Sequence, residues 1–315
     1  MNSSMPYIER NGLNLSRFML GTAQLGMDNY GVNNRSGAVN DKELLEYCEL
    51  VGINCYDTAL EYGDAEVKLG QYFKGKESPF IVSKLKVDLQ LTSELELERQ
   101  MVSKAEQIIS RLQLSAIPAL MIHDPVALQV YGPSVGKILS RMKRDGMIGR
   151  GGISFGADPV DQYNYSAELI QDDIYEMVQL PVNLFDRRLI QCGALQDFAD
   201  QGKWVVARSV FLQGLFFMNR QSLPEKLLPK GGELLEKLQE LAVSEEMTIA
   251  ELAVAYVRDL QGVHCLVIGA ESPEQIKVNL ELMSCPSLSE RTKMRIDRTF
   301  ADIPQIYITP FMWKS

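Results

Sequence analysis

One alternation, running almost the whole length of the chain, limits most strongly which folds are open to it. Short apolar runs of strand length recur at 18–23, 53–58, 80–85, 118–124, 148–154, 176–183, 204–209 and 263–269. Most are nearly continuous in apolar residues, the pattern of strands buried on both faces of a parallel sheet. Between several of them lie stretches with helical spacing, at about 41–51, the segment after Glu66, 93–112, 135–144, 249–260 and 273–283, with another expected at 233–244. In the longest of these, Ile108, Ile109 and Leu112 share one face. The polar, proline-containing stretch 219–232 reads as a loop. Parallel neighbours need a crossover of a dozen or so residues, usually a helix, so this alternation predicts the α/β class.

Eight such units, with no shift in composition to mark a linker, predict a single (β/α)8 TIM barrel domain over residues 1–315. Ahead of it, 7–16 reads as a hairpin turning at Asn11-Gly12 and placed to plug one end of the barrel, and 289–300 reads as an extra C-terminal helix. A doubly wound sheet is the alternative. It usually opens with a GxGxxG turn, whereas the nearest match here, Gly149 to Ser154, fails at the last glycine and comes too late in the chain.

Composition narrows the function. A net charge of -9 with no basic run argues against a nucleic acid partner. No stretch approaches the ~20 apolar residues of a membrane span, and the first residues lack the basic and apolar regions of a secretory signal. The five cysteines, Cys48, Cys55, Cys192, Cys265 and Cys285, form no CxxC pair in a chain large enough to need no staples, which points to reduced thiols and the cytoplasm. With two histidines and no calcium-type acidic loop, no metal site is expected.

The chemistry of a parallel barrel sits at the carboxyl ends of its strands. There, Asp57, Lys84 and His123 end the second, third and fourth runs, and Tyr62 lies on the loop after the second. Adjacent strands are ~5 Å apart, so the four side chains can share one pocket. A free phenol titrates near ~10, too high for easy proton transfer at neutral pH. An ammonium from Lys84 should lower it, Asp57 should hold that ammonium, and a neutral His123 should donate a hydrogen bond to a substrate oxygen. Singly, each residue also fits a plainer role as cap, solvated charge or core residue, and His264, mid-strand beside Cys265, is read that way. Four on consecutive strand ends form an acid–base constellation.

The segments YDTALEYGDAE, IVSKL, LMIHDP, GGISF, MVQLPVN and VIGAESPEQIKVNL resemble, in order and spacing from Leu20 to Asn279, the signature segments of the aldo-keto reductases. The resemblance implies a barrel that binds NAD(P)H without a Rossmann domain, Tyr62 as general acid assisted by Asp57 and Lys84, and His123 orienting the carbonyl. It implies a cofactor site in which Gly21 and Thr22 lie by the nicotinamide and Ser154 and Gln179 bind its carboxamide. Phe155 replaces the family's more usual Asn, and Asn183 fits a common position with no role attached.

The loop after the seventh strand departs from the family's YSPL-like segment. Arg208 could stack on the nicotinamide, reach the pyrophosphate, face an acidic substrate or form a salt bridge at the rim; Ser209, Phe211 and Gly214 fit a pyrophosphate loop. Asp57 and Gly269 also fall in the implied cofactor site, with Gln275 and Asn279 at the adenine end. Glu271 stands where relatives that prefer NADP often carry Lys, Arg or a small hydroxyl residue, which leans the choice towards NAD(H), although Lys277 could compensate. The substrate is then a small-molecule aldehyde, ketone or sugar, with Asn29, Asn33, Arg208 and Gln213 as a polar mouth. A nicotinamide-binding regulatory subunit without turnover is the competing reading.

Overall fold

The computed structural model describes residues 5–27 and 40–313. Ten strands are found among them: β1 (Tyr7–Arg10), β2 (Leu13–Ser16), β3 (Phe18–Gly21), β4 (Cys55–Asp57), β5 (Phe80–Leu85), β6 (Ile117–Ile122), β7 (Ile148–Ser154), β8 (Tyr175–Pro181), β9 (Trp204–Arg208) and β10 (Val263–Gly269). Strands β3 to β10 run parallel in sequence order, and β10 pairs back onto β3 to close a barrel. The expected (β/α)8 architecture is therefore present. Helices Pro159–Ile170 and Ala194–Asp200 complete the crossovers after β7 and β8.

The two faces of each strand divide the core. Leu20, Tyr56, Ile81, Leu120, Val178, Val205 and Leu266 point outward and pack beneath the helices. Their neighbours Met19, Cys55, Val82, Ala119, Met121, Met177, Trp204, Val206 and Cys265 fill the barrel interior. Side chains alternate with a period of two, so the next interior position along four strands is occupied by Asp57, Lys84, Ser154 and Gln179, all buried. An apolar plug thus gives way to a polar layer at the carboxyl end.

The hairpin seals the opposite end. Asn11 and Gly12 both have positive φ (49° and 74°), as a two-residue turn that matches strand twist requires. Leu15 enters the interior cluster, with Ile8 and Leu13 packed against it. Asn54, just ahead of β4, accepts from the Ser16 amide at 2.8 Å and donates to the Asn14 carbonyl at 2.8 Å. Arg150 donates to the Asn11 carbonyl at 2.7 Å.

His264 joins this seal, in keeping with its reading as a core residue. Its Nδ1 accepts from the Val205 amide at 3.0 Å, its Nε2 lies 2.6 Å from the Arg10 guanidinium, and its ring packs 5.1 Å from that of Trp204. Burial, reinforced by the Arg10 charge, lowers its pKa to about 4. The native ring therefore stays neutral while the unfolded ring takes a proton below its ordinary value of ~6.5, so the ring's contribution to stability is complete above pH ~6.5 and declines as pH falls to about 4. Urea unfolding of the wild type should show this loss, and His264→Asn, which removes the titrating group, should flatten the slope of stability against pH over that window.

One helical boundary differs from expectation. The stretch read as a loop at 219–232 carries two 3-10 turns, Arg220–Ser222 and Glu225–Leu227, and the following helix already starts at Leu228, extending to Ser244. Pro229 in its first turn lacks only an N–H that would have no helical partner. Helix Glu290–Thr299 is the expected C-terminal addition. Beyond it the chain makes two further short turns, Gln305–Ile308 and Pro310–Met312. Among the described residues no helix is long and apolar enough to cross a membrane, and no group of three or more His, Cys, Asp or Glu could hold a metal.

Candidate active site

The polar layer is a connected network. Lys84 Nζ donates to Asp57 Oδ1 at 2.6 Å and to the Thr58 carbonyl at 2.9 Å. Gln179 Nε2 donates to the same Asp57 oxygen at 2.6 Å, and its own Oε1 accepts from Ser154 Oγ at 3.1 Å. Thr22 fixes the backbone beneath, donating from both its amide and its hydroxyl to the Asp57 carbonyl at 2.9 Å. Register explains the meeting: Gly21 pairs with Asp57 across β3 and β4, and Ser154 with Gln179 across β7 and β8.

Tyr62 sits on the loop beyond β4, where two glycines let backbone meet backbone. A Cβ at Gly26 would lie 1.9 Å from the Tyr62 carbonyl oxygen, and one at Gly63, with φ of 55°, would lie 2.0 Å from the Gly26 carbonyl oxygen. Any larger residue would push this loop off the barrel. The Lys84 ammonium is 5.1 Å from the centre of the Tyr62 ring, and the His123 ring stands edge-on to it at 6.0 Å. His123 follows β6 directly, and its amide donates to the Leu85 carbonyl at 2.8 Å.

The electrostatics differ from expectation at Tyr62. Burial raises its phenol pKa, the Asp57 charge adds to the rise, and Arg208 only partly opposes it. Lys84 is held against Asp57, which screens its pull on the ring. Tyr62 therefore stays a protonated phenol at neutral pH, a hydrogen-bond donor from the outset.

Beside this network a groove opens at the barrel mouth between β9 and β10. Gly21, Asp57, Tyr62, Arg208, Ser209, Phe211, Gly214, Gly269, Glu271 and Gln275 all line it. Thr22, Ser154, Gln179 and Asn279 are instead buried, and Lys84 and His123 also lie outside its lining. Asn29 and Asn33 fall outside the described residues. The loop after β9 is strained: Ser209, Leu212, Gln213 and Gly214 all have positive φ, at 62°, 49°, 53° and 92°. Asn183 helps hold it, donating to the Ser209 carbonyl at 3.1 Å while its own oxygen accepts from the amides of Phe185 and Asp186, each at 2.9 Å. That answers what Asn183 does.

Arg208 is held by bonds within the protein. It donates to the Phe155 carbonyl at 2.6 Å and to Ser209 Oγ at 3.0 Å, and it borders both this groove and a second cavity near Asp186 and Thr309. The Phe155 ring turns away and packs 5.6 Å from Phe198. The two departures in sequence thus meet as one contact.

Comparison with known proteins agrees with this architecture. The family description "Aldo/keto reductase family" matches residues 17–299. The chain belongs to that family. Uncharacterized oxidoreductases of Mycobacterium bovis and Mycobacterium tuberculosis are each 27% identical to this chain over 300 residues, covering 88% of it and 87% of their own length. Among solved structures, a glycerol dehydrogenase from Gluconobacter oxydans superposes with a TM-score of 0.71 at 22% identity, covering 95% of each chain. An aldo-keto reductase from Bacillus halodurans, in its holo form, gives 0.74 at 19% identity, covering 96% of this chain and 99% of its own. These two likenesses concern the fold. Family and relatives together support an oxidoreductase of the class that uses nicotinamide cofactors on small carbonyl compounds.

Several residues in the site escaped the sequence reading. Gln24 and Phe217 line the groove, and the Glu61 carboxylate lies 2.9 Å from His123 Nδ1. Glu61 had one signal, its place next to Tyr62. Phe217 had none, because its ring reaches the groove only through the turns of the preceding loop, where it packs 5.2 Å from Phe211.

Removing one member of the buried ion pair tests the network. Lys84→Met should cost about 3–5 kcal/mol by leaving Asp57 short of its cation. In urea denaturation, Asp57→Asn combined with Lys84→Met should be more stable than Lys84→Met alone, since the uncompensated charge is then gone.

Proposed function

We propose that this chain, as a one-domain enzyme, interconverts a carbonyl and an alcohol with NAD(P) as hydride carrier and Tyr62 as the group that gives or takes the proton. The observation that carries the reading is the junction of two features: the Asp57–Lys84–Gln179 network with Tyr62 above it, and the glycine-lined groove into which Asp57 and Tyr62 also face. The residues present fit a dinucleotide. Gly21, Gly214 and Gly269 line the groove, and the strained loop from Ser209 to Gly214 is the sort of backbone found at ligand clamps. Ser154 and Gln179 would hold the carboxamide, Arg208 the nicotinamide or pyrophosphate, and Gln275 and Asn279 the adenine end. When bound, the nicotinamide supplies or accepts the hydride at C4.

The protein's own part is then positional and protic. The Tyr62 phenol, kept protonated by burial, donates to the carbonyl oxygen as negative charge develops there, and Arg208, whose charge opposes the rise in its pKa, steadies the phenolate that results. Tyr62→Phe should lower turnover by at least about a hundredfold, the scale of a lost general acid, with dinucleotide affinity nearly unchanged. Stopped-flow single-turnover rates and a fluorescence titration measure the two separately.

Glu271 lines the groove, and its amide is tied to the Gln275 side chain at 2.8 Å. Its carboxylate would repel a 2′-phosphate and accept from a free 2′-hydroxyl, so the proposed carrier is NAD(H). NADH should quench intrinsic fluorescence at lower concentration than NADPH; the reverse order overturns this choice. For substrate, the polar groups of Gln213 and Arg208 at the groove favour a sugar or polyol, a class that includes the glycerol named for the Gluconobacter relative. A panel of aldehydes, ketones, ketoses and polyols tests this, and binding of cofactor with no turnover on any of them points instead to a regulatory subunit. The five cysteines are all unpaired, which supports the proposed cytoplasmic setting.

A further inference from the structure

Glu61 has no part in the reaction as described so far, yet its carboxylate is bonded to the His123 ring. Its Oε2 lies 2.9 Å from His123 Nδ1, and its Oε1 accepts the Lys86 backbone N–H at 3.1 Å. The carboxylate is thus strung between the loop after β4, the end of β5 and the end of β6. Burial pulls Glu61 upward, but its bonds from His123 and Lys86 outweigh this and hold it below the ordinary carboxylate range. An ionised carboxylate has no proton to give, so the proton in the contact with His123 belongs to Nδ1.

The ring has one further nitrogen. Burial keeps His123 below the usual histidine pKa, with Lys84 and Lys86 acting in the same direction and Glu61 against them. The charged and titratable groups around it are Glu61 and Tyr62 from the loop, Lys84 and Lys86 at the end of β5, and Asp124 next in the chain. At neutral pH the ring therefore carries Nδ1–H and a bare Nε2 lone pair.

We propose that Glu61 is a positioning residue that fixes His123 in the Nδ1–H tautomer, so that Nε2 accepts a hydrogen bond from an alcohol's hydroxyl and donates one to a carbonyl oxygen only when the ring is doubly protonated. This rests on the carbonyl–alcohol reading above and deepens it. It also reverses the expectation that a neutral His123 donates to the substrate. Alcohol substrates are then engaged by the neutral ring, and carbonyl substrates by the imidazolium paired with Glu61. Tyr62 remains the group that transfers the proton.

The tautomer is measurable without any substrate. The chain has two histidines. Long-range proton–nitrogen correlation spectra of the 15N-labelled full-length protein, with His264→Asn to remove the other ring, report the state of each His123 nitrogen. At pH 7.5 the expected result is a protonated Nδ1 and a pyridine-type Nε2. In Glu61→Gln the Lys86 N–H still needs the amide oxygen, so the amide NH2 faces Nδ1 and the proton should move to Nε2. A wild-type ring protonated on Nε2, or a tautomer that Glu61→Gln leaves unchanged, overturns the proposal.

The pH profile gives a second readout that a purely structural role would not move. In the wild type, kcat/KM for carbonyl reduction should fall by up to tenfold per unit as pH rises above the ring's pKa, and in Glu61→Gln this fall should disappear. An unchanged profile in the variant also overturns the proposal. Absence of turnover on any carbonyl or alcohol would count against the oxidoreductase reading, while the tautomer measurement still decides the role of Glu61.

Discussion

A lysine ammonium with no exposure to water, held 2.6 Å from a carboxylate, dictates the arrangement of the upper barrel. Taking two such charges out of water costs several kcal/mol each, and their attraction offsets this only when the remaining donors and acceptors are also matched. Lys84 is matched by Asp57 and the Thr58 carbonyl; Asp57 is matched further by Gln179, and Gln179 by Ser154. Asp57, Lys84, Ser154 and Gln179 come from four different strands, so the network exists only when those strands are assembled in register. The apolar interior beneath, from Met19 round to Cys265, fixes that register by packing.

The site divides its labour between stiff and strained parts. Proton-handling groups stand on strand ends or on a loop pinned by backbone contact at Gly26 and Gly63, where small displacements meet hard repulsion. The groove wall is instead a loop whose left-handed residues are unfavourable alone and persist because Asn183, Arg208 and internal turns hold Ser209 in place. Such a backbone persists at the cost of local stability. The same logic explains Phe155 and Arg208: the carbonyl of one anchors the guanidinium of the other.

Most of the fold could be read from the sequence because it is periodic. Interior and exterior positions alternate along every barrel strand, and the Asn11-Gly12 turn announces the hairpin. The placement of Asp57, Tyr62, Lys84 and His123 around one mouth follows from their positions at strand ends. Other features are tertiary and leave no local trace. Which oxygen Gln179 would bond, that Asn183 would clamp Ser209, and that Glu61 would lie against His123 all depend on side chains meeting across long stretches of chain. The expected lowering of the Tyr62 pKa was wrong for the same reason. Burial of the phenol, which only the packed site creates, outweighs the nearby cations, and the Asp57 charge adds to the rise. The helix expected from 233 starts five residues earlier, at Leu228, because the polar, proline-containing stretch 219–232 reads as a loop, yet the proline sits in the first turn and Gly231 and Gly232 admit Leu223 and Arg220 at close range.

Closure of the barrel also bears on how the chain is made. The first barrel strand bonds to the last, and Arg10 meets His264 across 254 positions of sequence. On a ribosome adding ~5–20 residues per second, the opening hairpin must wait tens of seconds for its partners to emerge. Until then the nascent chain carries an unpaired β3 edge and an apolar Leu15 with no barrel to enter. The ring therefore stays open through synthesis until β10 has left the ribosome.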